Sequence, residues 1–132
     1  MYMLDTKLCI HVLKNRSQKL QRKFKAVPEL CISSITLGEL CYGIENGDAA
    51  RREERYRQLK LFIRNLGVDP WNEQAAFHYG KIRAVLKRQG KIIGNNDLLI
   101  AAHARSLAAI LVTNNEKEFK RVPELLIENW LH

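Results

Sequence analysis

Leu30-Cys31-Ile32-Ser33-Ser34-Ile35-Thr36-Leu37-Gly38-Glu39-Leu40-Cys41 is the stretch on which the fold turns. Three consecutive apolar residues read as a short buried strand. Ser33 and Ser34 then offer hydroxyls that can cap the first amides of a helix. Leu37, Leu40, Cys41 and Ile44 follow at spacings of 3, 1 and 3, which lays one apolar stripe along that helix.

The same grammar recurs on both sides. Met1 to Leu4 reads as a strand closed by Asp5, and Thr6 opens a helix with Leu8, Ile10, Val12 and Leu13 as its apolar positions. Asn15-Arg16-Ser17 breaks it, with Ser17 as the cap of a helix over 18–26 that Pro28 stops. Downstream, Gly47-Asp48 marks a turn. Residues 49–66 predict an amphipathic helix with Tyr56, Leu59, Phe62, Ile63 and Leu66 on one side and Gly67 as its C′ residue. Val68-Asp69 is a minimal strand before Pro70. Trp71 or Asn72 opens a helix to Gln89, with Ala75, Tyr79, Ile82 and Leu86 on one face and Gly90 ending it. Gly94-Asn95-Asn96 is a turn or helix entry. Residues 97–106 are apolar almost all round, as in a helix packed on several sides, and 109–113 read as a buried strand. A short helix over 116–120 and a strand over 125–127 finish the chain. Strands alternating with helices mean an α/β protein, a parallel sheet with helices on both faces. No repeat or linker interrupts the pattern, so residues 1–132 are expected to form one domain. Right-handed crossovers put all the strand C-termini at one edge, where ligands of such sheets bind.

Three carboxylates sit beside apolar segments: Asp5 after the first strand, Glu39 inside the Ile35–Cys41 stretch, and Asp97 before Leu98-Leu99-Ile100-Ala101-Ala102. Each has a plain structural reading. Asp5 serves as an N-cap, Glu39 as a solvated helix charge at the edge of its apolar stripe, and Asp97 as a first-turn residue favoured by the helix dipole. Gly43, four residues after Glu39, would let another element approach closely. Gathered together, the three repel one another, and a hard divalent cation is their natural counterpart. Mg²⁺ accepts one or two carboxylates and keeps several waters. No Ser-His-Asp or Cys-His pair competes. His11 and His78 hold ordinary helix positions, His103 reads as a hydrogen-bonded core residue, and His132 is terminal. Trp71 and Trp130 anchor packing, and Gly94-Asn95-Asn96 lacks the spacing and lysine of a phosphate loop.

Composition narrows the setting. The formal net charge is +8 with a pI near 9.6, which favours a polyanionic partner. No apolar run reaches the roughly 20 residues a membrane span requires, and Asp5 and Lys7 interrupt any signal-peptide layout, so a cytoplasmic chain is expected. Cys9, Cys31 and Cys41 lie among apolar residues without metal-ligand spacing, as buried small hydrophobes do.

Five pieces run in order along the chain: Met3-Leu4-Asp5-Thr6, Ile32 to Leu40, Ile93-Gly94-Asn95-Asn96-Asp97-Leu98-Leu99-Ile100-Ala101, Leu111-Val112-Thr113-Asn114-Asn115 with Phe119, and Ile127-Glu128-Asn129-Trp130. In this ordered set the chain resembles the PIN-domain ribonucleases, and most of all the VapC-type toxins of bacterial toxin–antitoxin pairs. The resemblance implies a three-layer α/β/α sandwich with a central parallel sheet. It also implies a Mg²⁺-dependent endoribonuclease (Mn²⁺ being an alternative) that cleaves structured RNA, tRNA above all, by metal-activated water. Asp5 and Asp97 would be the main metal ligands, with Glu39 completing the pocket and Thr6 and Thr113 orienting carboxylates or waters. Relatives often carry a further acidic residue where Asn115 stands. Asn115 is then an uncharged oxygen ligand, or Glu118 supplies the charge if its short helix points it inward. Lys7 replaces an asparagine common at that place, with three readings open: it pairs with a carboxylate, contacts substrate phosphate, or faces solvent. Ile92 stands where a proline is common. The implied partners are a VapB-like antitoxin that inserts an arginine among the carboxylates and a second copy of the chain in a two-fold dimer. Two competing readings are a catalytically weakened RNA- or protein-binding module, degraded at Lys7 and Asn115, and a phosphatase on the same scaffold.

Overall fold

The computed structural model describes residues 1–15 and 18–131. Strands β1 (Tyr2–Leu4), β2 (Leu30–Ser33), β3 (Gly67–Asp69), β4 (Ile110–Val112) and β5 (Leu126–Glu128) form one sheet in the order β3-β2-β1-β4-β5. Every pairing is parallel, with Leu4 opposite Ile32 on one side and Val112 on the other. The helices are α1 (Thr6–Asn15), α2 (Gln18–Ala26), α3 (Ser34–Glu45), α4 (Arg52–Arg64), α5 (Glu73–Arg88), α6 (Asn95–Ser106) and α7 (Glu116–Phe119).

Period-2 alternation builds the layers. Met3, Cys31 and Leu111 point into a core shared with Ile82 and Leu86 of α5, Leu98 and Ile100 of α6, and Phe119. Their neighbours Leu4, Ile32 and Val112 point the other way, onto Leu8 and Val12 of α1, Leu20 of α2, Leu40 and Ile44 of α3, and Leu59 of α4. The sheet is therefore covered on both faces, which is the expected α/β/α sandwich. Helix α6 is buried at Leu98 and at Ile100 through Ala104, in keeping with its all-round apolar sequence. Trp71 and Trp130 act as packing anchors: Trp71 Nε1 donates to Leu99 O at 2.9 Å, and Trp130 is buried against Tyr2 and Phe24.

Two local readings change. Residues 49–51 form a separate 3-10 turn capped by Asp48, and α4 starts at Arg52. Gly67 is not a helix C′ residue. Asn65 ends α4, and Gly67 is the first residue of β3, opposite Cys31. Gly90 does end α5 as predicted, in the left-handed region at φ 65° that glycine tolerates without strain. The predicted Ser17 cap and His132 lie outside the described residues.

Candidate active site

Strand order reverses direction between β1 and β4, so the crevice beyond their C-terminal ends is the sheet's switch point. β1 delivers Asp5 there and β4 delivers Thr113. Asp5 is 2% exposed, and both its oxygens are held: Oδ1 accepts from the Leu8 amide at 2.8 Å, and Oδ2 from Thr113 Oγ1 at 2.5 Å. The helix-cap reading and the pocket reading of Asp5 thus coexist. Burial pushes its carboxyl above the usual range and the charge of Glu39 adds to that; the bonds from Thr113 and Leu8 and the charge of Lys7 oppose it.

Asp97 lies in the first turn of α6, half-buried. Its pKa is pushed up to about 6, first by burial, then by a hydrogen bond with Glu118 and that residue's charge, then by the charge of Asp5; Lys7 pulls it down. Helix α7 therefore does point Glu118 inward. Glu39 is fixed at both ends: Oε1 accepts from Thr6 Oγ1 at 2.6 Å and Oε2 from Asn96 Nδ2 at 3.0 Å. Thr36 Oγ1 lies 3.1 Å from Thr6 Oγ1 and orients that hydroxyl.

Asn115 behaves as a donor. Its amide N–H reaches Thr113 Oγ1 at 2.9 Å and its Nδ2 reaches Glu118 Oε2 at 3.0 Å, so it steers Glu118. Lys7 is exposed, yet close enough that its charge lowers both Asp5 and Asp97. Two contributors were not singled out in the sequence as site residues: Asn96 and Thr36. The signal for Asn96 was its place one residue before Asp97. Consecutive helix residues fan about 100° apart, and Asn95, Asn96 and Asp97 reach Tyr79, Glu39 and Glu118 respectively.

A Ser-His-Asp row, which no sequence spacing revealed, also forms: His103 Nδ1 lies 2.7 Å from Ser33 Oγ and Nε2 lies 3.2 Å from Asp69 Oδ1. Ser33 and His103 are fully buried, so the row does not meet a substrate, and His103 is the hydrogen-bonded core residue expected.

The pocket's donor set is all oxygen and strongly negative, which suits a hard divalent cation. Among the described residues, no three His, Cys, Asp or Glu side chains form a ready-made ligand cluster. Beside Glu39 opens a groove of about 250 Å³ lined by Ile10, Leu13, Leu40, Gly43, Ile44 and Leu59, with Lys14 and Arg55 at its rim. A Cβ at Gly43 would meet nothing within 4 Å among the described residues, and its bare backbone lines the groove instead of a close helix contact.

A parallel sheet with a buried aspartate and half-buried carboxylates at its switch point defines an α/β class that presents acidic groups to a ligand beyond the strand ends. Within that class the chain belongs to the PIN domain family, whose model matches residues 2–125. It is 40% identical over 132 residues to ribonuclease VapC2 of Rickettsia felis, covering 98% of this chain and 97% of the relative. It is 43% identical over 130 residues to the tRNA(fMet)-specific endonuclease VapC of Salmonella typhimurium, with 98% and 97% covered. Among solved structures, VapBC2 from Rickettsia felis bound to a DNA fragment from its promoter superposes with a TM-score of 0.94 at 39% identity, covering 98% of both chains.

Proposed function

We propose that this chain is the ribonuclease of a VapBC-type toxin–antitoxin pair, a metal-dependent endoribonuclease that cuts structured RNA, with tRNA as its substrate. The observation that carries the reading is the acidic pocket at the switch point: burial and the charge of Glu39 raise the proton affinity of Asp5, and burial, Glu118 and Asp5 raise that of Asp97. Asp5 and Asp97 would hold Mg²⁺, or Mn²⁺, with Glu39 and Glu118 contributing directly or through water. When bound, the ion offsets the carboxylate repulsion and activates water for attack on phosphorus.

The protein's own part is positioning. Thr113 favours the ionised form of Asp5 by donating to it, against the effect of burial, and Thr6 and Asn96 orient Glu39. Asn115 aims Glu118, and the exposed Lys7 would meet a substrate phosphate. Lys81, Lys87, Arg88 and Lys91 are all exposed and supply RNA attraction that weakens with salt. Exposed nucleotides of a tRNA loop permit the in-line approach that a paired helix resists.

The partner is a VapB-like antitoxin. The apolar groove between α1, α3 and α4 opens onto Glu39, so a segment lying in it can carry an arginine to the carboxylates. A homodimer aligns two such pockets along one RNA-binding face, residues 1–132 act as one domain, and the chain works in the cytoplasm. No helix among the described residues is long and apolar enough to cross a membrane.

Purified chain incubated with tRNA in Mg²⁺, in Mn²⁺ and in EDTA tests this. Discrete cleavage that needs the ion and disappears in Asp5→Asn and Asp97→Asn is expected. If wild type and both variants are equally inert, the chain is a binding module; hydrolysis of a small phosphate ester without RNA cleavage would make it a phosphatase.

A further inference from the structure

We propose that His103 is a positioning residue for the metal pocket, locking the helix that carries Asp97 to the cap of the helix that carries Glu39. The inference rests on the reading of the acidic pocket as a metal centre. His103 and Ser33 are both 0% exposed. Burial lowers the imidazole's pKa and keeps the ring neutral, against the opposing pull of Asp69. The network then assigns its tautomer: Nε2–H donates to Asp69, and Nδ1 accepts from the Ser33 hydroxyl, whose oxygen accepts from Ile35 N at 3.1 Å. Both ring nitrogens and the Ser33 hydroxyl are thereby partnered.

Ser33 is at once the last residue of β2 and the N-cap of α3. Asp69 is the last residue of β3, and His103 belongs to α6. One ring therefore ties together two strands and two of the helices that bear pocket carboxylates, α3 and α6. Glu39 stands six residues after Ser33, and Asp97 six residues before His103, which is about 9 Å of helix in each case. Asn96 to Glu39, at 3.0 Å, joins the same two helices at the pocket end.

The composition of α6 explains the need for such a tie. Around His103 it is Ala101, Ala102 and Ala104, small buried residues that pack without a directional preference. Leu98 and Ile100 seat the first half of α6 in the core, whereas around His103 the alanines leave rotation and register to directional contacts, and Asp97 would shift if those were lost. The Ser33–His103 bond fixes both register and rotation. It couples two residues 70 apart in sequence.

The test uses three variants of the full chain. Asn at position 103 overlays the Cγ–Nδ1 edge of imidazole and keeps an acceptor for Ser33 while losing Asp69. Gln reaches the Nε2 position and keeps a donor for Asp69 while losing Ser33; Leu loses both. Mn²⁺ affinity is read from the free-ion electron paramagnetic resonance signal, without RNA, and folding from the denaturant midpoint. His103→Asn should bind Mn²⁺ close to wild type, whereas His103→Gln and His103→Leu should bind at least about tenfold more weakly while still folded, the scale of losing an outer-sphere support. Should the leucine variant not fold, the glutamine variant decides alone.

Folded His103→Gln with wild-type Mn²⁺ affinity overturns the proposal, as does an affinity that merely follows stability across the series. A wild-type chain that binds no Mn²⁺ overturns the metal-centre reading, and the clamp with it. Wild-type binding with unaltered variants overturns the clamp alone.

Discussion

Asp97→Asn should stabilise the metal-free protein while abolishing cleavage. In the folded chain the Asp97 carboxyl titrates at about 6, against 3.8 for an unperturbed aspartate. At 1.36 kcal/mol per pKa unit the difference corresponds to about 3 kcal/mol of destabilisation once the group ionises. Asp97 is only half-buried, and solvent screening reduces this to about 1–2 kcal/mol. Asparagine also gives up the favourable interaction of a negative charge with the first turn of α6, worth about 0.5 kcal/mol. Repulsion is the larger effect, so the variant should gain about 1 kcal/mol, a few degrees in Tm for a chain of this size. The sign follows from linkage. An acid whose folded pKa is raised costs nothing below its unfolded value, and the cost develops between 3.8 and about 6. The gain should therefore be absent near pH 4 and complete above pH 7. Urea unfolding of both proteins in EDTA at the two pH values measures it. Repeating the pH 7.5 measurement with Mg²⁺ should stabilise wild type and leave the variant unmoved. A variant less stable than wild type at pH 7.5, or a difference independent of pH, would refute the electrostatic account of the pocket.

Thr113→Val keeps the shape but removes the donor to Asp5 and the acceptor of the Asn115 amide; a loss of about 2–3 kcal/mol is expected in chemical denaturation, and unchanged stability would mean these bonds are replaced by water. Lys7→Gln removes the cation that holds down Asp5 and Asp97, so the acid limb of the cleavage pH profile should move to higher pH. That shift should shrink in high salt, and coincident profiles at low salt would place Lys7 out of electrostatic reach. Ile82→Ala, at a fully buried core position, should cost about 2–5 kcal/mol, whereas Phe77→Ala on the exposed face of α5 should stay within about 0.5 kcal/mol in the same assay; comparable losses at the two sites would contradict the assigned core.

The sequence by itself determined the order of elements and most of their limits, because those signals are local. Ser33 caps α3 as its position predicts, and Pro28 and Gly90 follow the helices they end. Val68-Asp69 reads as a minimal strand before Pro70 and is one, whereas Gly67, a glycine just after a helix, reads as its terminator and is instead the first residue of that strand. Its place in the sheet comes from hydrogen bonding to β2. The candidate site was legible as a set of carboxylates beside core segments, and its connections were not. That Glu118 meets Asp97, that Asn96 meets Glu39, and that Ser33, His103 and Asp69 form one row depends on strand order and on how α6 seats against the sheet. Local propensity acts over a few residues, whereas these partners are separated by tens of residues, so only closure of the tertiary structure decides which polar groups meet once water has been excluded.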